Sequence, residues 1–481
     1  MEVFFVHSKK NKLAVLMLVE MLHLAASLIL FFMFWILFRY HSFSFEPDLG
    51  FRYNYYVLFL YGVLLVFFNR TYNSFLLGYM RIGQLVFNQL LAQLFSLVVV
   101  YVAVSVAWKQ INNPVIFLPL LAVYVGMDIL WSYFADRLFL ALNPVRKTVF
   151  VYRNETDRKR FGSVSGKPIE RMYDICGEIQ YSGDDFEEIR DRIRGYDAVF
   201  VAGVYSRCRN GIAKYCSEND IPGFFLPHVG DIVMQGGSHV KSFSSPVIFV
   251  SRKEIHLEYR IIKRIIDILF SLFALIILSP VLGLTALLIH FYDKGPVFYR
   301  QTRLTQYGKE FQILKFRSMR QDAEKDGVAR LSTGEKDERI TPVGRVIRKH
   351  RIDELPQLIN ILKGDMSIVG PRPERPEIAA QYDAFLPDFK LRLQVKAGLT
   401  GYAQIYGRYN SSPYEKLEFD LMYINQMSLV TDLQLMFATV GILFVPESTE
   451  GVAEDATTAM DYEDEADHTK KEAETAAKQN R

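Results

Sequence analysis

Apolar and polar positions alternate along this chain in three distinct ways, and each predicts a different kind of element. The first 140 residues carry four long apolar stretches: Leu13 to Phe38, Tyr53 to Phe68, Leu85 to Trp108 and Val115 to Phe134. A bilayer core takes about 20 consecutive apolar residues per helix, so the first and third are full spans and the second is short. The pattern predicts four transmembrane helices over residues 1–143. The first stretch is too long for a signal peptide, lacks a small-residue cleavage site and is followed by more spans. Lys9, Lys10 and Lys12 precede the first stretch, and Arg137, Arg146 and Lys147 follow the fourth. The positive-inside rule then puts both ends of the bundle on the cytoplasmic side.

From Lys147 the period shortens. "TVFVY", "DICGEIQ", "YDAVFVAGV" and "IPGFFLP" are short apolar runs separated by polar, helix-length segments, the spacing of a parallel sheet built from βαβ units. A module of this kind is expected over residues 144–250. "RNETDRKRFG" follows the first run with no G-x-G-x-x-G, so nothing there lets a pyrophosphate approach the backbone. The expectation is a Rossmann-like, non-catalytic module.

A second hydrophobic event, "RIIKRIIDILFSLFALIILSPVLGLTALLIHFYDKGP", is long enough to span but has Ser279-Pro280 near its middle. Proline removes a backbone donor and disfavours helix in the residue before it, so a break or kink is expected there. A kinked spanning helix and a re-entrant hairpin both satisfy this pattern. Arg260, Lys263 and Arg264 on one side, with Lys294, Arg300 and Arg303 on the other, favour the re-entrant form over residues 261–291. Residues 251–446 form the expected third domain, mixing amphipathic helices with Gly- and Pro-rich loops. The last segment, 447–481, is acidic, nearly free of aromatics and expected to be disordered.

That tail changes how the composition is read. Half of the 481 residues are hydrophobic and the formal charge is +3, but the acidic tail masks a distinctly basic remainder. Such a balance suits anionic lipid or phosphate-bearing substrates. Cys176, Cys208 and Cys216 form no CxxC pair, which disfavours a disulfide scaffold and a structural zinc site.

The candidate chemistry lies in "RKHRIDELPQLINILKGDMSIVGPRPERPE". Pro356 is tolerated in a first helical turn, so a helix is expected to begin at the Asp353–Glu354 dyad and to bury Leu355, Leu358, Ile359 and Leu362. Both carboxylates would sit at its positive end, about 100° apart and so on different faces. One could attack a substrate while the other holds a hard cation. The simpler reading makes Asp353 a cap and Glu354 a first-turn charge. Basic neighbours weigh against it. Lys315, Arg317 and Arg320 lie upstream, Arg345, Arg348, Lys349 and Arg351 adjoin the dyad, and Arg372 and Arg375 sit on a loop stiffened by prolines. Lys315, Arg317, Arg348, Arg372 and Arg375 are the candidate phosphate ligands, since a guanidinium on a fixed backbone loses less entropy on forming a bidentate contact. In "KAGLTGYAQIYGR", Thr400, Tyr402, Gln404 and Arg408 are candidate nucleotide-sugar contacts among Gly398, Gly401 and Gly407, although a plain turn explains the glycines as well.

The ordered strings "KRIIDILFSL", Ser279-Pro280, "GPVFYRQTRLTQYGKEFQILKFRSM", the dyad segment, "KAGLTGYAQIYGR" and "YEKLEFDLMYINQMSLVTDLQLMFATV" resemble the bacterial sugar transferase family, the monotopic polyprenyl-phosphate phosphoglycosyl transferases. The preceding spans and module resemble its long members, which start capsule or exopolysaccharide repeat units. The resemblance implies that Asp353 attacks the β-phosphorus of a UDP-sugar, releasing UMP and leaving a phosphosugar on the carboxylate. Undecaprenyl phosphate would then accept the phosphosugar. It further implies Mg²⁺ at Glu354, a re-entrant membrane helix and a catalytic domain on the cytoplasmic side of a bacterial plasma membrane.

The expected fold class is therefore a membrane protein with a helical transmembrane bundle, a Rossmann-like α/β module and a mostly α-helical monotopic catalytic domain. The expected partners are UDP-sugar, undecaprenyl phosphate and membrane lipid, without nucleic acid, and a homo-oligomer is allowed. Glucose is favoured as the sugar, with galactose second. Three alternatives stand beside this reading. A membrane-bound nucleotide-sugar dehydratase would need the absent glycine fingerprint, a conventional glycosyltransferase would release UDP, and a polysaccharide-assembly scaffold would tolerate loss of Asp353.

Overall fold

The computed structural model describes residues 10–42, 52–109, 111, 113–158, 171–240, 247–252, 255–320, 337, 339–407 and 412–442. Arg408 and the acidic segment 447–481 lie outside them. The chain divides into two compact units, Met1–Leu226 and Pro227–Arg481.

The first unit opens with four helices, α1 (Lys10–Ser42), α2 (Arg52–Thr71), α3 (Ile82–Trp108) and α4 (Leu118–Leu142). By length and hydropathy Ala14–Leu37, Ile82–Trp108 and Pro114–Leu142 can each cross a bilayer. The 20-residue α2 is interrupted by Tyr and Asn and is the least apolar of the four. Aromatic packing fills the bundle interior, where Phe31 stacks on Tyr61 with centroids 3.9 Å apart. Polar side chains clamp the helices together at depth, where no water competes. His23 Nε2 lies 2.8 Å from Asp128 Oδ1, which also accepts from Gln93 Nε2 at 3.1 Å.

Each of the four apolar runs after Lys147 supplies a strand: β1 (Arg146–Tyr152), β2 (Tyr173–Gln180), β3 (Ala198–Ala202) and β4 (Gly223–Phe225). They pair in parallel in the order β2-β1-β3-β4. Parallel strands are covered on both faces, which explains why β3 reads as an unbroken apolar run and is buried throughout. Helices α5 (Glu187–Ile193) and α6 (Ser206–Glu218) supply part of that cover, burying Ile189, Ile193, Cys208, Ile212 and Cys216. On the other side Phe150, Tyr152 and Phe200 share a core with Leu16, Leu85 and Phe139 of the bundle.

The second unit begins with α7 (Val229–Gln235) and a hairpin of β5 (Ser238–Val240) and β6 (Val247–Phe249). The pattern of apolar runs puts residues 227–250 in the α/β module. Instead Val229 and Ile232 join the core of the second unit, and Asn425 Nδ2 donates to the Ile232 carbonyl at 2.6 Å. Next is α8 (Leu257–Asp293), 37 residues with Pro280 inside it. The expected break at Ser279-Pro280 does not interrupt the helix. Pro280 has no N–H to offer the carbonyl of Ile276, and Ser279 Oγ takes that acceptor instead at 2.8 Å.

Both halves of α8 lie on the same domain. Ile266, Ala274 and Leu275 pack on its main core, while Leu282, Ala286 and Ile289 meet Phe316 and Ile347. Three charged residues on the first half make specific anchors. Lys263 Nζ pairs with Asp432 Oδ2 at 2.7 Å, and Arg264 donates to the carbonyls of Ile361 and Leu362 at 2.6 and 2.7 Å. Asp267 accepts from the Ile368 amide at 3.0 Å.

The rest of the second unit mixes helix with short sheet. β7 (Phe298–Leu304) and β8 (Glu310–Phe316) form an antiparallel hairpin, followed by α9 (Pro342–Lys349), a 3₁₀ turn (Ile352–Glu354), α10 (Gln357–Lys363), β9 (Ser367–Val369) and α11 (Pro376–Phe385). β10 (Gly398–Thr400) pairs in parallel with β9, and α12 (Pro413–Asn425) and α13 (Leu429–Ile442) close the unit.

Asp432 in α13 is 4% exposed and accepts three hydrogen bonds, from Tyr259, Lys263 and Tyr423. Asp432→Ala strands a buried ammonium, and its expected cost is about 3–5 kcal/mol of stability. Denaturant unfolding of the detergent- or nanodisc-held protein measures it, and a loss below about 1 kcal/mol would show that α8 is not anchored through this pair.

Candidate active site

Two elements bring the site together. β8 alternates so that Phe311, Ile313 and Lys315 share one face, and Lys315 occupies a position where the pattern calls for another apolar side chain. Asn360, on α10, pins that strand: its Oδ1 accepts from the Leu314 amide at 2.9 Å and its Nδ2 donates to the Gln312 carbonyl at 2.8 Å. The helix itself starts at Gln357, four residues after Asp353 where the proline rule puts it. Asp353 and Glu354 lie in the 3₁₀ turn, Pro356 is the residue before α10, and the helix buries Gln357, Leu358, Asn360 and Ile361. Of the four residues expected to form its buried stripe only Leu358 is fully buried. Asn360 takes an inward position because its amide is satisfied by strand backbone, which a hydrophobic pattern does not register. Arg351, just before the turn, has φ 54°, the left-handed region seldom used by a residue with a Cβ, and so bends the chain sharply into the dyad.

The two carboxylates have different surroundings. Glu354 is 9% exposed and faces three cations: Arg372 Nη2 at 2.6 Å and Lys315 Nζ at 3.3 Å from Oε1, and Arg351 Nη1 at 3.9 Å from Oε2. Burial alone would raise its pKa, but Arg372, Lys315 and Arg351 outweigh that and hold it well below the usual carboxylate range. Asp353 makes no hydrogen bond or ion pair among the described residues. Burial, reinforced by the charge on Glu354, pushes its pKa up to about 6, against the pull of Lys315, Arg348 and Arg372. Burial likewise lowers the Lys315 pKa, which Glu354 partly restores. One carboxylate is thus ionised and charge-paired, and the other is left with its lone pairs unclaimed.

Arg372 is held by its own backbone. Four consecutive carbonyls of its loop each accept a hydrogen bond, from three different segments. Pro371 accepts from the Gly398 amide at 2.8 Å, Arg372 from Arg392 Nη2 at 2.8 Å, Pro373 from Arg303 Nη1 at 3.2 Å, and Glu374 from the Leu304 amide at 2.9 Å. Gly370 precedes them, and a Cβ there would run into the Lys396 carbonyl. This is the fixed arginine placement expected from the prolines. The clamp is tertiary, and the prolines contribute by removing competing donors from the loop.

Lys315, Arg348 and Arg372 therefore act on the dyad, Arg348 from the last turn of α9 through its charge on Asp353. Arg317 is buried, with its amide bonded to the Val297 carbonyl, and Arg375 stands ahead of α11 at 3.9 Å from Glu377. Thr400 is buried and accepts from Thr439 Oγ1 at 2.7 Å, while Tyr402 donates to Gln426 at 3.0 Å. Gln404 has both side-chain amide atoms buried without a protein partner. Ser279 and Pro280 lie mid-helix in α8. Sequence reasoning placed Arg303 only among the basic flanks of the membrane helix and left out Glu374, Arg392, Lys416 and Asp420, whose charges cluster with it behind the Arg372 loop. Lys416 and Asp420 are four apart, each just before a leucine (Leu417 and Leu421), a spacing that reads equally well as an exposed helix pair.

The described residues hold no group of three or more His, Cys, Asp or Glu able to bind a metal by themselves. Two adjacent carboxylates, one with an unclaimed pair of oxygens, are a partial donor set. They fit an ion such as Mg²⁺ that takes its remaining ligands from substrate phosphate and water.

Residues 258–446 match the family model described as bacterial sugar transferase. The chain is 42% identical over 185 residues to a UDP-N-acetylgalactosamine-undecaprenyl-phosphate N-acetylgalactosaminephosphotransferase of Aeromonas hydrophila, covering 38% of this chain and 43% of that protein. It is 43% identical over 186 residues to a UDP-glucose:undecaprenyl-phosphate glucose-1-phosphate transferase of Escherichia coli, covering 38% and 40%. A transferase of the same description from Caulobacter vibrioides is 38% identical over 191 residues, covering 39% of this chain and 71% of that protein. The match spans less than half the length of the first two relatives. With the match confined to the unit that holds the Asp353–Glu354 dyad and the seated helix α8, the chain belongs to the bacterial sugar transferase family.

Proposed function

We propose that this membrane protein transfers a sugar 1-phosphate from a UDP-sugar to undecaprenyl phosphate, starting an exopolysaccharide or capsule repeat unit. The observation that carries the reading is the asymmetry of the dyad: a cation-locked Glu354 beside an unpaired, nucleophile-competent Asp353. An Asp353 oxygen attacks the β-phosphorus, the bond from that phosphorus to the bridging oxygen breaks, and UMP leaves with the electron pair. An oxygen of the acceptor phosphate then attacks the same phosphorus, the acyl-phosphate bond breaks and the carboxylate is restored. Splitting one displacement into two lets a soluble donor and a lipid acceptor use the site in turn.

The chain's own cations make this feasible. Arg372, with its side chain 39% exposed, is the one of Glu354's three partners best able to turn toward a diphosphate. Lys315 and Arg348 offset the repulsion between an anionic nucleophile and an anionic substrate. Glu354 Oε2 with Asp353 would hold Mg²⁺, which when bound neutralises diphosphate charge. Both halves of α8 pack on this domain, which supports a re-entrant seating with the site at headgroup level on the cytoplasmic side, where a polyprenyl phosphate and a soluble nucleotide sugar can both arrive. Arg317, Arg375, Thr400, Tyr402, Gln404 and Arg408 remain candidates for the outer parts of the donor site. Glucose is the first donor to test, followed by galactose and N-acetylgalactosamine.

Membranes carrying the full chain, given each UDP-sugar with undecaprenyl phosphate, are expected to release UMP, and radiolabelled sugar is expected on the protein before the acceptor is added. Release of UDP instead, or parental turnover by Asp353→Asn, would overturn the reading.

Turnover is expected to fall as pH drops through about 6, because protonating Asp353 removes the nucleophile. A kcat/KM profile flat to pH 5 would contradict its role.

The dyad also predicts opposite stability effects. Asp353 has a folded pKa above its ordinary value, so its ionisation opposes folding at neutral pH and the penalty vanishes as pH falls toward 4. Asp353→Asn should therefore be about 1–3 kcal/mol more stable than the parent at pH 7.5, with no advantage near pH 4. Glu354, with a lowered pKa, contributes stability above its unfolded value that is lost in acid. Glu354→Gln should cost about 3–5 kcal/mol at pH 7.5 by removing the buried carboxylate that Arg372 and Lys315 share. Denaturant melts at both pH values check the signs.

A further inference from the structure

Behind the Arg372 loop lies a group of charges that takes no direct part in the proposed chemistry. Asp420, on α12, is 1% exposed, and Arg392 is 3% exposed. Asp420 Oδ2 accepts from Arg392 Nε at 2.8 Å and lies 2.7 Å from Nη2. That same Nη2 donates to the Arg372 carbonyl at 2.8 Å, and the Arg372 side chain reaches Glu354 at 2.6 Å. Three contacts thus connect a helix remote from the dyad to its locked carboxylate. Phe389 lies under the Arg392 guanidinium, 4.8 Å from its ring centroid, so the fork has little room to rotate.

We propose that Asp420 and Arg392 are positioning residues for the transfer reaction: Asp420 holds the Arg392 fork so that it fixes the Arg372 carbonyl, and thereby sets where the Arg372 guanidinium meets Glu354 and the donor diphosphate. The inference rests on the reading of the dyad given above.

The charge arrangement explains why both members are needed. Glu374 lies 3.9 Å from Arg392 Nη1 and 3.5 Å from Arg303 Nη1. Without the Asp420 charge, Arg392 is a buried cation among Arg303, Lys416 and Arg372, and Glu374 is the remaining carboxylate within its reach. A turn toward Glu374 draws Nη2 off the Arg372 carbonyl and competes with Arg303, which holds the next carbonyl along. One substitution therefore loosens two of the four clamps on the loop. Arg392→Lys tests the geometry separately from the charge. An ammonium can still pair with Asp420, but it lacks the planar fork that reaches a carboxylate and a carbonyl together.

The experiment is a double-mutant cycle on the full chain in nanodiscs, reading UMP release with the best UDP-sugar of the panel. Asp420→Asn and Arg392→Lys are each expected to lower kcat by about 10- to 100-fold, the scale of a small misplacement of a catalytic group. In an Arg372→Ala background the same changes should cost less than about twofold, because the group they position is gone. Equal fold-losses in both backgrounds, or parental turnover by Arg392→Lys, would overturn the proposal. Should Asp420→Asn fail to fold, the Arg392→Lys arm decides by the same two outcomes. Hydrogen exchange at the Arg372 and Glu374 amides needs no turnover. It should quicken in both variants, whereas unchanged exchange counts against the clamp even if the parent releases UMP. A parent that releases no UMP defeats the reaction reading instead.

Discussion

The contact on which the site depends is the one between Arg372 and Glu354, 2.6 Å long and made at the edge of a buried carboxylate. A carboxylate this buried costs several kcal/mol unless it is paired, and the pairing must hold when substrate is absent. Arg372 and Lys315 provide that charge, and the result is a division of labour between two neighbours in sequence. Glu354 stays ionised and fixed. Asp353, excluded from the pairing, keeps its oxygens free at a cost in folding energy. If Asp353 is the nucleophile proposed above, satisfying its neighbour while leaving it unpaired keeps it available without losing the turn that carries it.

Everything around that contact serves to hold it. The loop carrying Arg372 has two prolines and four clamped carbonyls, the strand carrying Lys315 is pinned by Asn360, and the turn carrying the dyad is bent in by a left-handed Arg351. These come from β7, β8, β10, the segment before β10 and α10. No single one of them fixes the site. Rigid placement arises because each donor is itself part of a packed element, so the geometry is over-determined.

The membrane helix follows the same logic. An apolar helix has no preference between lipid and a hydrophobic groove, and charged residues at 263, 264 and 267 give α8 a defined seat on Asp432, the end of α10 and the Ile368 amide. Pro280 sits within the helix because Ser279 takes up the carbonyl it leaves unpaired. The long apolar helix and the polar candidate site therefore belong to one folded unit, an arrangement in keeping with the proposed transfer from a soluble donor to a membrane-bound acceptor.

Much of this was legible in the sequence. Long apolar stretches, short apolar runs and the proline-bounded charge cluster are local patterns, and they were enough to read the helical bundle, the four parallel strands and a candidate charge cluster in which Asp353, Glu354, Lys315 and Arg372 do lie together. Where the second unit begins was not legible, because Val229 and Ile232 look the same whether they face a sheet or α12. Nor was the start of α10, where Asn360 is buried by satisfying a strand, or the asymmetry of the dyad, since adjacent carboxylates are equivalent until cations from distant segments choose one. Nothing in the local pattern marks Glu374, Arg392, Lys416 or Asp420, or sets Arg303 apart from the other basic flanks of the membrane helix, and only packing brings these charges together, with Arg392 and Asp420 fully buried. Sequence alone determined which elements form, because periodicity and proline chemistry act within a few residues. Tertiary structure decided which charge meets which, because pairing in a low-dielectric interior depends on distance in space and not along the chain.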